Sequence, residues 1–251
     1  MVNQFVTVLE NRKVNGQFYK LIFRCRALAK HAKPGQFVNL LVNVSYDPFL
    51  RRPFSFYRTI GDRIEILYEV LGRGTALLAN KKKGEALKVM GPLGRGFKRI
   101  VKNKKRILVG GGIGVPPLVF LGERTVVDYF LIGAKSYKEV LPAKELSRVH
   151  GKILYSTNDG SYGAKGYVTG LLEQLLRKES PQSLFIQTCG PRPMVQAVME
   201  IARQRGIEGE VSLDETMACG VGACLGCVVE TREGWVPSCT HGPVFAFKEL
   251  R

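Results

Sequence analysis

Four cysteines near the C-terminal end, Cys219, Cys224, Cys227 and Cys239, concentrate the chemistry of this chain. They are four of its six cysteines, spaced C-x4-C-x2-C, then eleven residues, then C. That is the plant-type arrangement of thiolates around a [2Fe–2S] cluster. Gly220, Gly222 and Gly226 lie between the first three sulfurs. A loop wrapping a cluster needs glycine for unusual dihedrals and for close approach of its amide N–H groups to sulfur. Structural zinc is the competing reading, but zinc ribbons carry two C-x2-C knuckles, and only Cys224 and Cys227 form one here. Disulfides require an oxidising compartment, whereas the first residues, MVNQFVTVLE, lack the basic-then-apolar pattern of an export signal. The expectation is a one-electron carrier in the cytoplasm.

Other segments hold weaker signals. In LRRPFSFY, residues 50–57, strand alternation places Arg52 and Phe54 on one face and Ser55 on the other. Arginine's fork suits a pyrophosphate, a flat ring can pack on a flavin, and a hydroxyl can bond a flavin ring nitrogen. An edge strand with surface arginines would read the same way. Residues 71–75, Leu-Gly-Arg-Gly-Thr, lead into a short helix expected at 76–79, with Thr75 as cap and free amides that suit an anion. The run Gly110 to Gly114 follows an apolar strand but misses the G-x-G-x-x-G fingerprint, whose last place falls on Val115 or Pro117. It still signals close approach of something, often phosphate, to the backbone. Thr157-Asn-Asp-Gly-Ser161 offers polar groups suited to ribose or adenine, or is an ordinary polar turn. Cys189-Gly190-Pro191 ends a strand, and a lone cysteine there reads as structural. Cys25 reads as core, and Trp235 as packed within the cysteine module. The three histidines, His31, His150 and His241, argue against a histidine metal site or triad.

The elements that must position these groups divide into two patterns. Up to residue 99, short strands at 4–9, 18–25, 36–42 and 63–70 predict an antiparallel β-barrel, closed by a turn at Gly91-Pro92-Leu93-Gly94. Beyond it, strands at 106–109, 126–132, 152–156 and 184–187 accompany helices at 167–177 and 192–205. That alternation predicts a doubly wound parallel α/β sheet binding ligands at loops 110–117, 157–163 and 189–193. The expected fold class is α+β multidomain: a barrel over 1–99, the α/β domain over 100–212 and a small cysteine module over 213–251. At 251 residues the chain can bury such cores unaided. Its net charge of +17 can draw nucleic acid, but no nucleic-acid module is visible. The basic runs, Lys81 to Lys83 and Lys98 to Arg106, read as solvated turns, with anionic nucleotides and an acidic partner taking up part of the excess. The longest uncharged run, residues 107–122, is too short and too interrupted to span a bilayer.

Taken together, R-P-F-S, G-T, GGGIGVPPL, NDGSYG and CGPRPM resemble the ferredoxin–NADP reductase superfamily. The tail MACGVGACLGCVV…C…GPVF is similar to the electron-transfer subunits of bacterial NAD-dependent dihydroorotate dehydrogenases. The resemblance spans nearly the whole chain. It implies FAD contacts at Arg52, Pro53, Phe54, Ser55, Leu67, Tyr68, Glu69, Gly74 and Thr75. It implies a nicotinamide nucleotide site lined by Gly111, Gly112, Gly114, Asp159, Cys189, Gly190 and Pro191, and cluster ligation by Cys219, Cys224, Cys227 and Cys239. Asp159 leans toward NAD over NADP, since a carboxylate favours a free 2′-hydroxyl. The implied partner is an FMN-containing dihydroorotate dehydrogenase subunit, in a heterotetramer of two of each chain, whose electrons pass through [2Fe–2S] and FAD to NAD(H) in pyrimidine synthesis. The alternative within the superfamily is the flavin subunit of another NAD(P)H-dependent oxidoreductase, linked to ferredoxin, sulfide or hydrogenase. Some of those replace one cluster cysteine by Asp, whereas all four positions here are Cys.

Overall fold

The computed structural model describes residues 1–16, 18–43, 45–101 and 103–251, so Lys102 of the basic linker lies outside the described residues. The first part contains β1 (Val2–Lys13), β2 (Phe18–Arg24), α1 (Arg26–His31), β3 (Phe37–Leu41), β4 (Arg52–Ser55), β5 (Arg58–Ile60), β6 (Arg63–Glu69), α2 (Arg73–Ala79) and β7 (Ala86–Leu93). Its strands form one antiparallel sheet in the order β4-β3-β7-β1-β2-β6-β5. A register shift between Val8 and Glu10 bends β1 where it pairs with β2. The sheet therefore curls until Phe54 of β4 meets Tyr68 of β6 edge-on, ring centroids 5.7 Å apart. This is the expected barrel in half-closed form. Val6, Val8, Leu21, Phe23, Val38, Leu40, Ile64, Ile66 and Val89 fill it from alternating positions. One expectation is corrected: Gly91 to Leu93 is the end of β7, paired with β1 and β3, and the chain bends only at Gly94. Gly-Pro reads as a turn in isolation, but the Gly91–Pro92 bond is cis here and both flanking ladders hold it.

The second part runs β8 (Lys105–Gly111), α3 (Val115–Gly122), β9 (Tyr129–Ala134), β10 (Lys152–Thr157), β11 (Ala164–Lys165), α4 (Val168–Leu176), β12 (Leu184–Cys189), α5 (Arg192–Gln204) and β13 (Glu208–Ser212). These strands lie parallel in the order β11-β10-β9-β8-β12-β13. The chain builds outward from β8 on one side, then crosses to β12 on the other, so the topological switch lies between β8 and β12. Ile107 and Val109 face α4 and α5, whereas Leu108 faces α3. Both sheet faces are thus covered, which is why β8 is apolar at consecutive positions. Every residue of α3 is buried, because this helix lies between sheet and barrel, and its Phe120 packs into the barrel core.

The last part adds β14 (Val228–Thr231), β15 (Gly234–Pro237), α6 (Ser238–His241) and β16 (Val244–Ala246). β14 and β15 form a hairpin, and β16 pairs antiparallel with β13. The cysteine loop is therefore tied to the parallel sheet at both ends. Trp235 does not pack in the module: it is 68% exposed on the hairpin. A buried charge network joins barrel to sheet domain. Arg58 donates from Nε to both oxygens of Glu123 (2.7 and 3.0 Å) and from Nη2 to the Glu145 carbonyl (3.0 Å). Lys20 pairs with Glu145 and Glu65, and the Tyr57 hydroxyl donates to the Glu145 carbonyl at 2.7 Å. Among the described residues no helix is long and apolar enough to cross a membrane.

Candidate cofactor clefts and cysteine centre

Two clefts open at the carboxyl ends of the parallel strands. The first, about 460 Å³, lies between the curled sheet and the switch point. Arg52, Pro53, Phe54, Ser55, Leu67, Tyr68, Glu69 and Thr75 all line it, so the segments singled out from sequence converge on one cavity. Gly74 sits under the Arg52 guanidinium, where a Cβ would fall 2.6 Å from Nε. Thr75 caps differently from expectation. It is the third residue of α2, and its hydroxyl accepts the Leu71 and Gly72 N–H groups (2.9 and 3.1 Å) while Gly72 stands at the helix start. Gly114, Cys189, Gly190 and Pro191 close the far wall.

The second cleft, about 590 Å³, is lined by Gly111, Gly112, Gly133, Lys135, Asn158, Tyr167, Pro191 and Met194, among others. Glu69, Ile113 and Pro191 border both clefts, which therefore abut. Their common edge is built by close backbone contact: a Cβ on Gly114 would lie 2.3 Å from the Cys189 carbonyl. That contact explains a glycine-rich turn that lacks the dinucleotide fingerprint. Asp159 lies outside both linings, in an exposed turn where Oδ1 accepts the Ser161 N–H (2.9 Å) and hydroxyl (2.6 Å), which hold its carboxyl below the usual range. Its neighbour Asn158 faces the second cleft instead. Burial, with the Asp214 charge added, pushes the Cys189 thiol up to about 12 against a Ser212 hydrogen bond. The Cys189 side chain packs in the core with Val115 and Leu118.

Beside the first cleft the four cysteines gather in two pairs, Cys219 with Cys224 and Cys227 with Cys239, whose thiols act on each other's ionisation. Each sulfur accepts a backbone N–H: from Val221 to Cys219 (3.4 Å), Gly226 to Cys224 (3.5 Å), Cys239 to Cys227 (3.4 Å) and Gly222 to Cys239 (3.1 Å). The Val221 amide leads a set that lowers Cys219 to about 6, whereas burial and Cys227 raise Cys239 to about 12. A buried thiol pair ionises when a metal supplies the counter-charge. Two thiol pairs with an amide on every sulfur suit a two-iron cluster, one pair to each iron.

Phe37, Met217, Leu213, Asp214 and Glu215 also line the first cleft, and sequence reasoning passed over all five. Phe37 and Met217 additionally pack with Leu93 against Cys227 and Cys239. Met217 stands two residues before Cys219, which was a usable signal; Phe37 is distant in sequence and gave none.

A curled antiparallel sheet set against a switch-point parallel sheet, with abutting clefts between, defines a ferredoxin reductase-like oxidoreductase. A solved structure of an NADH-dependent reduced ferredoxin-NADP oxidoreductase superposes with a TM-score of 0.86 at 25% identity, over 98% of this chain and 89% of that one. A family model described as the iron-sulfur cluster binding domain of dihydroorotate dehydrogenase B matches residues 214–251. The electron transfer subunit of dihydroorotate dehydrogenase B (NAD(+)) from Caldanaerobacter subterraneus subsp. tengcongensis is 34% identical over 97% of this chain and 96% of its own length. That of Bacillus velezensis is 36% identical over 100% and 99%. The chain belongs to this family of dihydroorotate dehydrogenase B electron transfer subunits.

Proposed function

We propose that the chain carries electrons from the FMN of a dihydroorotate-oxidising catalytic subunit, by way of a [2Fe–2S] cluster and FAD, to NAD⁺ in pyrimidine synthesis. The observation that carries this reading is a shared wall: Phe37 and Met217 line the first cleft and also pack on Cys227 and Cys239. A flavin in that cleft and a cluster on those thiols would be separated by little more than two side chains. When bound, the flavin exchanges single electrons on one side and a hydride on the other, and the cluster passes electrons singly.

The chain's own residues bind and orient. Arg52 beside Gly74 offers a fork for pyrophosphate, Phe54 a ring to pack on the flavin, and Ser55 a hydroxyl for a ring nitrogen. Glu69, Ile113 and Pro191, bordering both clefts, bring a nicotinamide in the second cleft against the flavin in the first. Residues 1–99 would then serve FAD, 100–212 NAD and 213–251 the cluster. Val221, Leu225 and Trp235 expose apolar surface on the cysteine loop and its hairpin. This rim suits docking by the catalytic subunit, in an assembly of two of each chain.

The test combines the purified chain with an FMN-containing catalytic subunit. Dihydroorotate should then reduce NAD⁺ only when both chains are present. Cys224→Ser should abolish that transfer while NADH still reduces ferricyanide through the flavin. The likeness to a reduced ferredoxin-NADP oxidoreductase motivates a second reading, another NAD(P)H-linked flavin subunit. Reduction of NADP⁺ by ferredoxin, with none by dihydroorotate, would favour it.

A further inference from the structure

Asn39 is fully buried, polar, and used by none of the interactions above. It stands on β3 between Val38 and Leu40, both of which enter the barrel core, so its side chain points the other way, toward the cysteine loop. A register shift between Phe37 and Asn39 in the β3–β7 ladder marks a bulge, a device that re-aims side chains beside functional sites. Its Nδ2 donates to the carbonyl of Cys219 at 3.3 Å, a contact across 180 residues of sequence. Gly220 has φ +72°, and a Cβ there would lie 2.2 Å from the same Nδ2. The amide thus occupies the space a side chain at 220 would need. Oδ1 is buried without a partner, so packing alone would favour an apolar residue over a half-satisfied amide. On its other side Asn39 is paired with Pro53 of β4, in the segment Arg52–Ser55 that lines the first cleft.

We infer that Asn39 is a positioning residue: it clamps the first thiol ligand, Cys219, to the strand pair that walls the flavin cleft. The inference rests on reading the four thiols as cluster ligands. In the clamp, strand and cysteine loop move as one unit, so the spacing between cleft and thiols is set by the barrel rather than by the loop.

The test uses protein loaded with flavin and iron, comparing wild type with Asn39→Leu, which keeps the volume and removes the donor, and Asn39→Asp, which turns a carboxylate toward the Cys219 carbonyl. Iron release to a chelator is expected to be about tenfold faster in N39L, the scale of one buried hydrogen bond, and faster still in N39D. The paramagnetic resonance spectrum of the reduced cluster should shift, while flavin content and flavin reduction by NADH stay at wild-type values. Combining Asn39→Ala with Gly220→Ala should be non-additive, because the smaller residue relieves the contact at 220 while the backbone strain cancels in the cycle. Unchanged iron release and an unchanged spectrum in N39L would overturn the inference. So would loss of flavin and iron together, which marks plain strand stability. Wild-type protein that cannot be loaded with iron would instead contradict the cluster reading, and the two failures are told apart in that way.

Discussion

Replacing Arg58 by Met should destabilise the protein far more than loss of a surface arginine. The side chain is 8% exposed, and the carboxylates around it are equally enclosed, at 7% for Glu123, 10% for Glu65 and 5% for Glu145. Lys20 and Arg58 face these three carboxylates from within, and the half-exposed Arg12 reaches Glu145 only at 3.9 Å, so the variant leaves Lys20 as the one buried cation against three negative charges. Removing one partner of a buried pair costs about 3–5 kcal/mol, mostly the penalty of stranding the other charge. Glu123 and Glu145 belong to the sheet domain and Arg58 to the barrel, so the loss falls on the interface between the two domains. Urea unfolding followed by circular dichroism should show a lower midpoint with an unchanged slope. The double variant R58M/E123M removes the closest pair and restores the wild-type charge balance around Lys20, so it should recover to within about 1 kcal/mol of wild type, as apolar replacement of buried pairs tends to do. A single-variant loss under about 1 kcal/mol, the scale of an exposed pair, would refute the reasoning.

Burial alone would raise the Glu145 carboxyl, but Lys20, Tyr57 and Arg58 outweigh it and hold it below the usual range. A carboxyl lowered by folding contributes stability above its unfolded value of about 4.3, and that stability is lost as pH falls through the folded value. Thermal midpoints should therefore stay level from neutral pH to about 5 and drop below about 4.3, with a shallower drop in Glu145→Gln, as calorimetry can check. Gly114→Ala drives a Cβ into the Cys189 backbone and should cost about 1–3 kcal/mol in unfolding measurements while weakening NADH binding measured by titration. Leu225→Glu with Trp235→Ser should weaken binding to the catalytic subunit by gel filtration, with iron content and flavin reduction unchanged. Retained binding would remove the cysteine-loop rim as the docking face.

Local features of this protein were legible in its sequence. The thiol spacing could be read because three of its four ligands fall within nine residues, so loop geometry and chemistry share one short stretch. The two sheets could be read because strands buried on one face or two leave different patterns, as in the alternation of Val6 and Val8 in β1 with exposed Phe5 and Thr7, against the apolar run of β8. What depends on distant contact was hidden. Lys20, Arg58 and Glu145 look like surface charges until the domains close over them. Phe37 and Asn39 are ordinary strand residues until the cysteine loop arrives 180 positions later. Gly91 and Pro92 read as a turn because their two ladders lie outside the window. Trp235 read as core because tryptophan is highly buried on average, and its exposure follows only from where the hairpin stands in the fold.

The central claim is that a flavin and an iron–sulfur cluster stand side by side within this one chain. Its most direct test is paramagnetic resonance on the anaerobically purified, flavin-loaded protein, frozen after mixing with NADH alone. The account predicts bleaching of the flavin absorbance together with the signal of a reduced [2Fe–2S] cluster, lost in Cys224→Ser. Flavin reduction without any cluster signal in wild type, or a colourless protein holding zinc on its four thiols, would contradict it.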